Sequence, residues 1–468
     1  MSTTRTNQEV MSLSNALRSS GNPGDRFIED AVERIPLEVL LEGSTLYGRG
    51  DELRGRSVLL ATRAQLTTAA ALLELDGIAR RIVLCPPELP IEHLPYVMDT
   101  VDVEGIVSDR PMSHWGTSRR LYFSPCTRRI MPREAHAEAE FPTEWILLTS
   151  GTTGLPKLVV HTLASLCAAI TPQTSSLQAT WSTFYDIRRY GGLQVFLRAM
   201  LTQGSLVLSD QDESTSDFLA RAACSGVTHI SGTPSHWRRA LMSPTAEKLL
   251  PQYVRLSGEM VDQAILNRLS LTYPKARIVH AFASTEAGVG FEVHDGLAGF
   301  PHQVLAQSRG PEVKIAEGTL RIRSKGVADR YLGDDVPALH DEAGFVDTRD
   351  LVERRDDRFY FGGRRDGVIN VGGLKVYPEE VESVISRHPE VHMCLVRARR
   401  SAITGAVVVA DVVLRPSSTS EGHDVKGAQD DILQLCRETL PSHKVPASIN
   451  IVPMLMISGA GKVMRQNA

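Results

Sequence analysis

The stretch Thr149-Ser150-Gly151-Thr152-Thr153-Gly154-Leu155-Pro156-Lys157 concentrates the groups that grip an anion. Its glycines let the backbone approach a phosphate closely, and the hydroxyls of Thr149, Ser150, Thr152 and Thr153 stand around them. Pro156 stiffens the exit, and Lys157 sets a point charge at its end. A Walker loop needs four residues between its glycines and a Lys-Ser or Lys-Thr pair opening a helix. Here only Thr152 and Thr153 separate the glycines, and the flanking runs Trp145–Leu148 and Leu158–Val160 read as strands. The helix N-terminus that a Walker loop uses is therefore missing. The expectation is a strand–loop–strand holder for a polyphosphate tail, against the plain alternative of a solvated Gly/Thr hairpin. Four further strings follow in order: His280-Ala281-Phe282-Ala283-Ser284-Thr285-Glu286, Gly344–Leu351, Gly363-Arg364-Arg365-Asp366-Gly367-Val368-Ile369-Asn370, and Gly459-Ala460-Gly461-Lys462.

These strings need rigid elements to position them, and the pattern supplies α/β layering. Between 27 and 110, strand-like runs (56–61, 81–84, 105–107) alternate with helix-like ones (65–75, 94–101). From 158 to 300 the alternation continues, with helices expected at 163–170, 193–202, 216–224 and 261–270. Residues 312–362 switch to short β segments of period two. Beyond Gly367 a compact α+β unit is expected: helix 378–387, strands 391–397 and 406–413, a polar loop 415–428 and helix 429–439. The 468 residues suffice for two or three domains with a large core. A formal net charge of −4 gives no electrostatic reason to expect nucleic acid or an anionic membrane as partner. The six cysteines (Cys85, Cys126, Cys167, Cys224, Cys394, Cys436) form no C-x-x-C pair, which reads as reduced thiols of a cytoplasmic protein. Met1–Ser20 is too polar for a secretory signal, and Val58–Leu75 too polar to span a bilayer.

Taken together, the strings resemble the acyl-adenylate-forming superfamily of acyl-CoA synthetases, adenylation domains and luciferases. The resemblance runs from about residue 145 to the C-terminus and is most specific at 149–157. It implies a large N-terminal domain of layered sheets and helices, residues 1–363. A small mobile α+β lid, residues 364–468, would follow, with a hinge at Asp366. It also implies ATP, Mg²⁺ and CoA. The 149–157 loop would take the β- and γ-phosphates, counting Thr149, Ser150, Gly151, Thr152, Thr153, Gly154 and Lys157 as nucleotide-binding. Phe282 would lie against adenine, Thr285 would meet the α-phosphate, and Glu286 would hold Mg²⁺. Asp350 and Arg364 would reach the ribose, and Lys462 would bring its ammonium to the substrate carboxylate and the α-phosphate. A hard cation held by one carboxylate and phosphate oxygens makes chemical sense of a lone Glu286.

The chain departs from the family pattern at several points. Ala283 and Arg349 stand where glycines are usual, and Met456 replaces a proline, whereas Ser458 keeps a hydroxyl. Ala283 would be strained if its position needs positive φ. For the acid pocket the resemblance points to the segments 185–192, 231–233 and 257–259. Arg189, Tyr190, Gly192 and Gly258 are the candidates there. Asp186 fits an amine-binding role poorly, and Arg188 or Arg189 would serve a second carboxylate, a CoA phosphate or a surface ion pair. The implied reaction turns a carboxylic acid and ATP into an acyl-adenylate and pyrophosphate, then moves the acyl group to a thiol, foremost CoA. No carrier-domain signature, a Gly-rich turn with a Ser awaiting phosphopantetheine, is present in the chain. Loading of a separate carrier protein and a catalytically silent nucleotide sensor remain the alternatives.

Overall fold

The computed structural model describes residues 12–19, 21, 23–115, 121–132, 139–149, 154–170, 179–307, 309–334, 336–401, 405–415 and 425–455. The chain divides into two compact units, each assembled from separate segments. The first combines Met1–Ile230, Ser284–Val289 and Ser324–Gly344, and the second Ser231–Ala283, Gly290–Arg323 and Phe345–Ala468.

The first unit is built on a seven-stranded sheet. Its strand order is Arg330–Leu332, Lys157–Thr162, Glu144–Thr149, Arg81–Leu84, Ser57–Leu60, Gly105–Ser108 and Tyr122–Pro125. From Glu144–Thr149 outward to Tyr122–Pro125 every pairing is parallel. Parallel strands are covered on both faces, which is why they read as unbroken apolar runs. Val58-Leu59-Leu60, Ile82-Val83-Leu84 and Ile146-Leu147-Leu148 are all buried. The helix Leu94–Val101 lays Leu94, Val97, Met98 and Val101 on one face of this sheet. Strand Lys157–Thr162 runs antiparallel to both neighbours and pairs Lys157 with Thr149. The 149–157 stretch thus connects two adjacent antiparallel strands, as its flanking runs predict. In the same unit, Arg34–Pro36, Phe27–Glu29, Ser205–Leu208 and Thr180–Thr183 pair in that order.

In the second unit, Tyr253–Ser257 pairs in parallel with the long strand Arg277–Ser284. A five-stranded antiparallel sheet follows, ordered Phe300–Pro301, Arg358–Arg364, Val346–Arg355, Thr319–Arg323, Glu312–Ala316. These are the period-two segments of the sequence. Beyond them come a hairpin, Ile369–Val371 with Leu374–Val376, and a three-stranded sheet of Val391–Ser401, Gly405–Leu414 and Ser448–Ile451. The helices Pro378–Ile385 and Val425–Thr439 close its core around Val384, Val396, Val412 and Ile432. The α+β expectation for the C-terminal part holds, with the strands longer than the sequence suggested. Residues 416–424 of the expected polar loop lie outside the described residues. The helix expected at 163–170 ends at Cys167. Among the described residues no helix is long and apolar enough to cross a membrane.

Candidate active site

Thr149 ends one strand and Lys157 begins the next, so the hairpin register sets them opposite each other. Between them, Ser150, Gly151, Thr152 and Thr153 lie outside the described residues, as does Lys462 near the C-terminus. Gly154 has φ +87°, and nothing crowds the place of a Cβ, so its glycine serves backbone conformation rather than close packing. The Lys157 ammonium lies 5.3 Å from the centroid of the Tyr331 ring. Tyr331 comes from the edge strand that pairs with Lys157–Thr162. Its hydroxyl stands 3.4 Å from Glu286 Oε1, and Thr149 Oγ1 stands 3.4 Å from the same oxygen. Three sequence candidates, Thr149, Lys157 and Glu286, therefore converge at the mouth of the loop. Tyr331 joins them without having been singled out in the sequence.

The groups around Glu286 suit a hard cation. They are oxygen donors, and among the described residues no cluster of three His, Cys, Asp or Glu side chains exists to hold a metal by protein ligands alone. One carboxylate flanked by neutral hydroxyls fits a Mg²⁺ that arrives with phosphate oxygens.

Thr285 and Glu286 sit on a short turn after the strand Arg277–Ser284. The Thr285 carbonyl oxygen lies 2.7 Å from Nε2 of His161, and Ser165 Oγ lies 2.9 Å from Nδ1 of the same ring. Burial pushes the His161 pKa down to about 4.

Phe282 occupies the second unit, within the same long strand. Its ring lies nearly parallel to that of Phe291 (5.8 Å between centroids) and to that of Phe361 (5.4 Å), and the residue is half-buried. Ala283 is absent from the residues with positive φ, so the alanine at this usual glycine position is unstrained. Arg349 is different: it has φ +61°, a left-handed conformation that a glycine adopts freely. Asp347 supports it by accepting the Arg349 amide at 2.8 Å. The next residue, Asp350, pairs in register with Arg364, with 3.9 Å between Oδ1 and Nε. Asp366 lies in the 3₁₀ turn Arg365–Gly367; its side chain lies outside the described ones.

The segment 185–192 resolves its charges mostly within itself. Arg188 is fully buried and paired with Asp186, its Nε donating to Oδ1 at 2.7 Å. It also donates to the carbonyls of Thr62 and Arg63. Arg189 caps no helix N–H but donates to Glu88 at 2.5 Å and to the Leu148 carbonyl at 3.2 Å, one residue before Thr149. Tyr190 is buried at the start of the helix Tyr190–Leu201 and lies against His161, ring centroids 5.6 Å apart. At Gly192 a Cβ would come within 2.2 Å of the Asp186 carbonyl, so only glycine fits this turn. In the second unit Gly258 has φ +86° directly after the strand Tyr253–Ser257. Its neighbour Glu259 accepts from the Ser235 amide at 2.9 Å and the Ser235 hydroxyl at 3.0 Å. Those bonds anchor the start of the helix Pro234–Ala240, which the sequence pattern did not flag.

A family model described as AMP-binding enzyme matches residues 76–332, and a second, the AMP-binding enzyme C-terminal domain, matches 380–462. The chain belongs to the AMP-binding enzyme family. This member is an AMP-forming acid–thiol ligase: ATP activates a carboxylic acid as its adenylate, and a thiol takes the acyl group. The 2-succinylbenzoate–CoA ligase of Salmonella typhimurium is 26% identical over 442 residues, covering 93% of this chain and 90% of the relative. Novobiocin biosynthesis protein H of Streptomyces niveus is 27% identical over 414 residues, covering 83% and 66%. Among solved structures, o-succinylbenzoate CoA synthetase of Bacillus subtilis with an acyl-adenylate bound aligns with a TM-score of 0.74 at 18% identity, over 96% of each chain. An anthranilate CoA ligase in complex with anthranoyl-AMP aligns at 0.78 with 16% identity, over 97% of this chain and 96% of the other. These structures establish that the ligase has the adenylate-forming fold.

Proposed function

We propose that this ligase uses ATP with Mg²⁺ to activate an aryl carboxylic acid and that CoA is the thiol that receives the acyl group. The observation carrying this reading is the Glu286 carboxylate 3.4 Å from the Thr149 hydroxyl, which brings a cation ligand to the mouth of a phosphate loop. In the first half-reaction a carboxylate oxygen attacks the α-phosphorus, and the bond to the β-phosphate breaks to release pyrophosphate. Thr149, Lys157 and the hydroxyls of the loop hold the departing phosphates, and the Thr285 hydroxyl orients the α-phosphate. Glu286 holds Mg²⁺, which neutralises phosphate charge when bound. Phe282 packs on adenine, Asp350 and Arg364 bind the ribose, and Lys462 steadies the charge that develops between carboxylate and α-phosphate. In the second half-reaction the thiol sulfur attacks the acyl carbon and AMP leaves. The boundary near 363, with Asp366 as hinge, lets residues 364–468 act as a lid between the halves.

The relatives' names, with their benzoate and anthranilate acids, support the aryl class. Glu88 already balances Arg189, so a second carboxylate on the substrate would have to displace it. Arg189, Tyr190, Gly192 and Gly258 are assigned to the walls of the acid site. Six free cysteines suit a cytoplasmic setting. The test is acid-dependent exchange of pyrophosphate into ATP over a panel of aryl, short-chain, fatty and amino acids, with and without CoA. Exchange with an aryl acid and AMP release that needs CoA is the expected result. Exchange without CoA turnover points to a separate carrier protein. Silence across the panel with ATP still bound points to a sensor.

A further inference from the structure

The turn Ser284–Ala287 carries Thr285 and Glu286, the two groups that the proposed reaction sets against phosphate and cation. Its backbone is fastened at three points within the first unit. Ser284 Oγ accepts from the Ala287 amide at 3.0 Å. The Glu286 carbonyl accepts from the Ala328 amide at 2.9 Å. The Thr285 carbonyl meets His161 Nε2 at 2.7 Å. Of these three, only the last is made by a side chain reaching in from another element.

A carbonyl oxygen accepts and cannot donate, so Nε2 carries the proton and Nδ1 is the acceptor facing the Ser165 hydroxyl. The ring is fully buried. Its neighbours in the strand, Leu158, Val159 and Val160, are apolar and buried as well. An aliphatic side chain would fill such a place without the cost of desolvating an imidazole, so the hydrogen bond is what histidine adds. His161 lies four residues after Lys157 on the exit strand of the phosphate loop. It therefore ties that strand to the turn bearing Thr285 and Glu286.

We propose that His161 is a positioning residue of the adenylation half-reaction: by holding the Thr285 carbonyl it fixes the Thr285 hydroxyl and the Glu286 carboxylate in register with the phosphate loop. The inference rests on the reaction proposed above. Without this bond the 285–286 peptide can rotate, and a displacement of about 1 Å at such groups costs up to roughly 10²-fold in rate.

Three variants of the full-length protein separate positioning from packing. His161→Gln presents an amide N–H at a reach similar to Nε2, His161→Asn presents one too short, and His161→Leu fills the space without a donor. Two quantities are read alongside the melting temperature. One is ATP affinity as a function of Mg²⁺, by calorimetry. The other is the rate of pyrophosphate exchange set against thioester formation from supplied acyl-adenylate. The Leu and Asn variants are expected to lose about 10–100-fold in exchange. They should also need more Mg²⁺ to bind ATP, with thioester formation unchanged. The Gln variant should recover most of the loss. Equal slowing of both halves in step with the melting temperature overturns the proposal, and so does a stable Gln variant that rescues nothing. If no acid supports exchange in the unmodified protein, the reaction fails, while the Mg²⁺-dependent ATP affinities of the variants still decide the role of His161.

Discussion

At the scale of single residues, Glu286 concentrates the chemistry. Its carboxylate oxygen meets Thr149 and Tyr331 only at 3.4 Å, the long end of hydrogen bonding, which leaves its charge available to a cation. Glu286→Gln keeps the shape and removes the charge. Exchange is expected to fall by at least about 10–100-fold, with the Mg²⁺ needed for half-maximal rate rising. Titrating Mg²⁺ in the exchange assay checks this, and wild-type activity at low Mg²⁺ would remove Glu286 from the metal site. Thr149, Lys157 and Glu286 were legible because their types and spacing have few other uses. Tyr331 and His161 were not. Each stands inside an ordinary strand, Arg330-Tyr331-Leu332 or Val159-Val160-His161, and its partner at the site, Glu286 or Thr285, comes from far along the chain. The one available signal was a histidine in an otherwise apolar run. Arg188 shows the converse: in sequence it is a candidate for substrate charge, in the fold a buried partner of Asp186.

At the scale of elements, the strand Val346–Arg355 is irregular toward both of its neighbours. Its pairing shifts register toward Thr319–Arg323 and again toward Arg358–Arg364, between Leu351 and Val352. The left-handed Arg349 sits within this distorted stretch, just before Asp350. For an L-residue that conformation costs about 1–2 kcal/mol, whereas glycine adopts it at an entropic cost of about 0.5–1 kcal/mol. Arg349→Gly should therefore stabilise the protein by about 0.5–1 kcal/mol, read as a higher denaturation midpoint in urea. A lower midpoint would mean that contacts of the Arg349 side chain outweigh the backbone cost. The parallel strands were readable because double-sided burial writes them as Val, Ile and Leu runs. The helix Pro234–Ala240 was missed for a local reason. Its capping box pairs Thr233 with His236 instead of the usual Glu or Gln, so the start signal was disguised.

At the scale of the whole molecule, one buried histidine (His161) and three half-buried ones (His229, His236, His392) shape the response to acid. Burial lowers His161, His229 and His392 to about 4 and His236 to about 3. The unfolded chain binds these protons near pH 6.5, the folded chain only at lower pH. The stability contributed by each group is therefore complete above about 6.5 and is lost as pH falls through about 4. Asp76 opposes them. Burial raises it to about 6, so its ionisation costs the folded state, and that cost is relieved as pH drops from about 6 toward 4. Four histidines outweigh one aspartate, and the urea midpoint is expected to fall steadily between pH 7 and pH 5. A flat or rising midpoint over that interval would contradict the burial of these rings. The composition of the first unit carries a different consequence, one of timing. Its edge strand Arg330–Leu332 and its turn Ser284–Val289 are encoded far downstream of the sheet and turn they complete. A ribosome working from the N-terminus delivers the central strands long before the last pieces emerge. Until then strand Lys157–Thr162 has an unpaired edge, the kind of surface that invites wrong partners. A nascent chain of this enzyme released at residue 280 should bind holdase chaperones, and the full-length chain, with both units complete, should bind them far less.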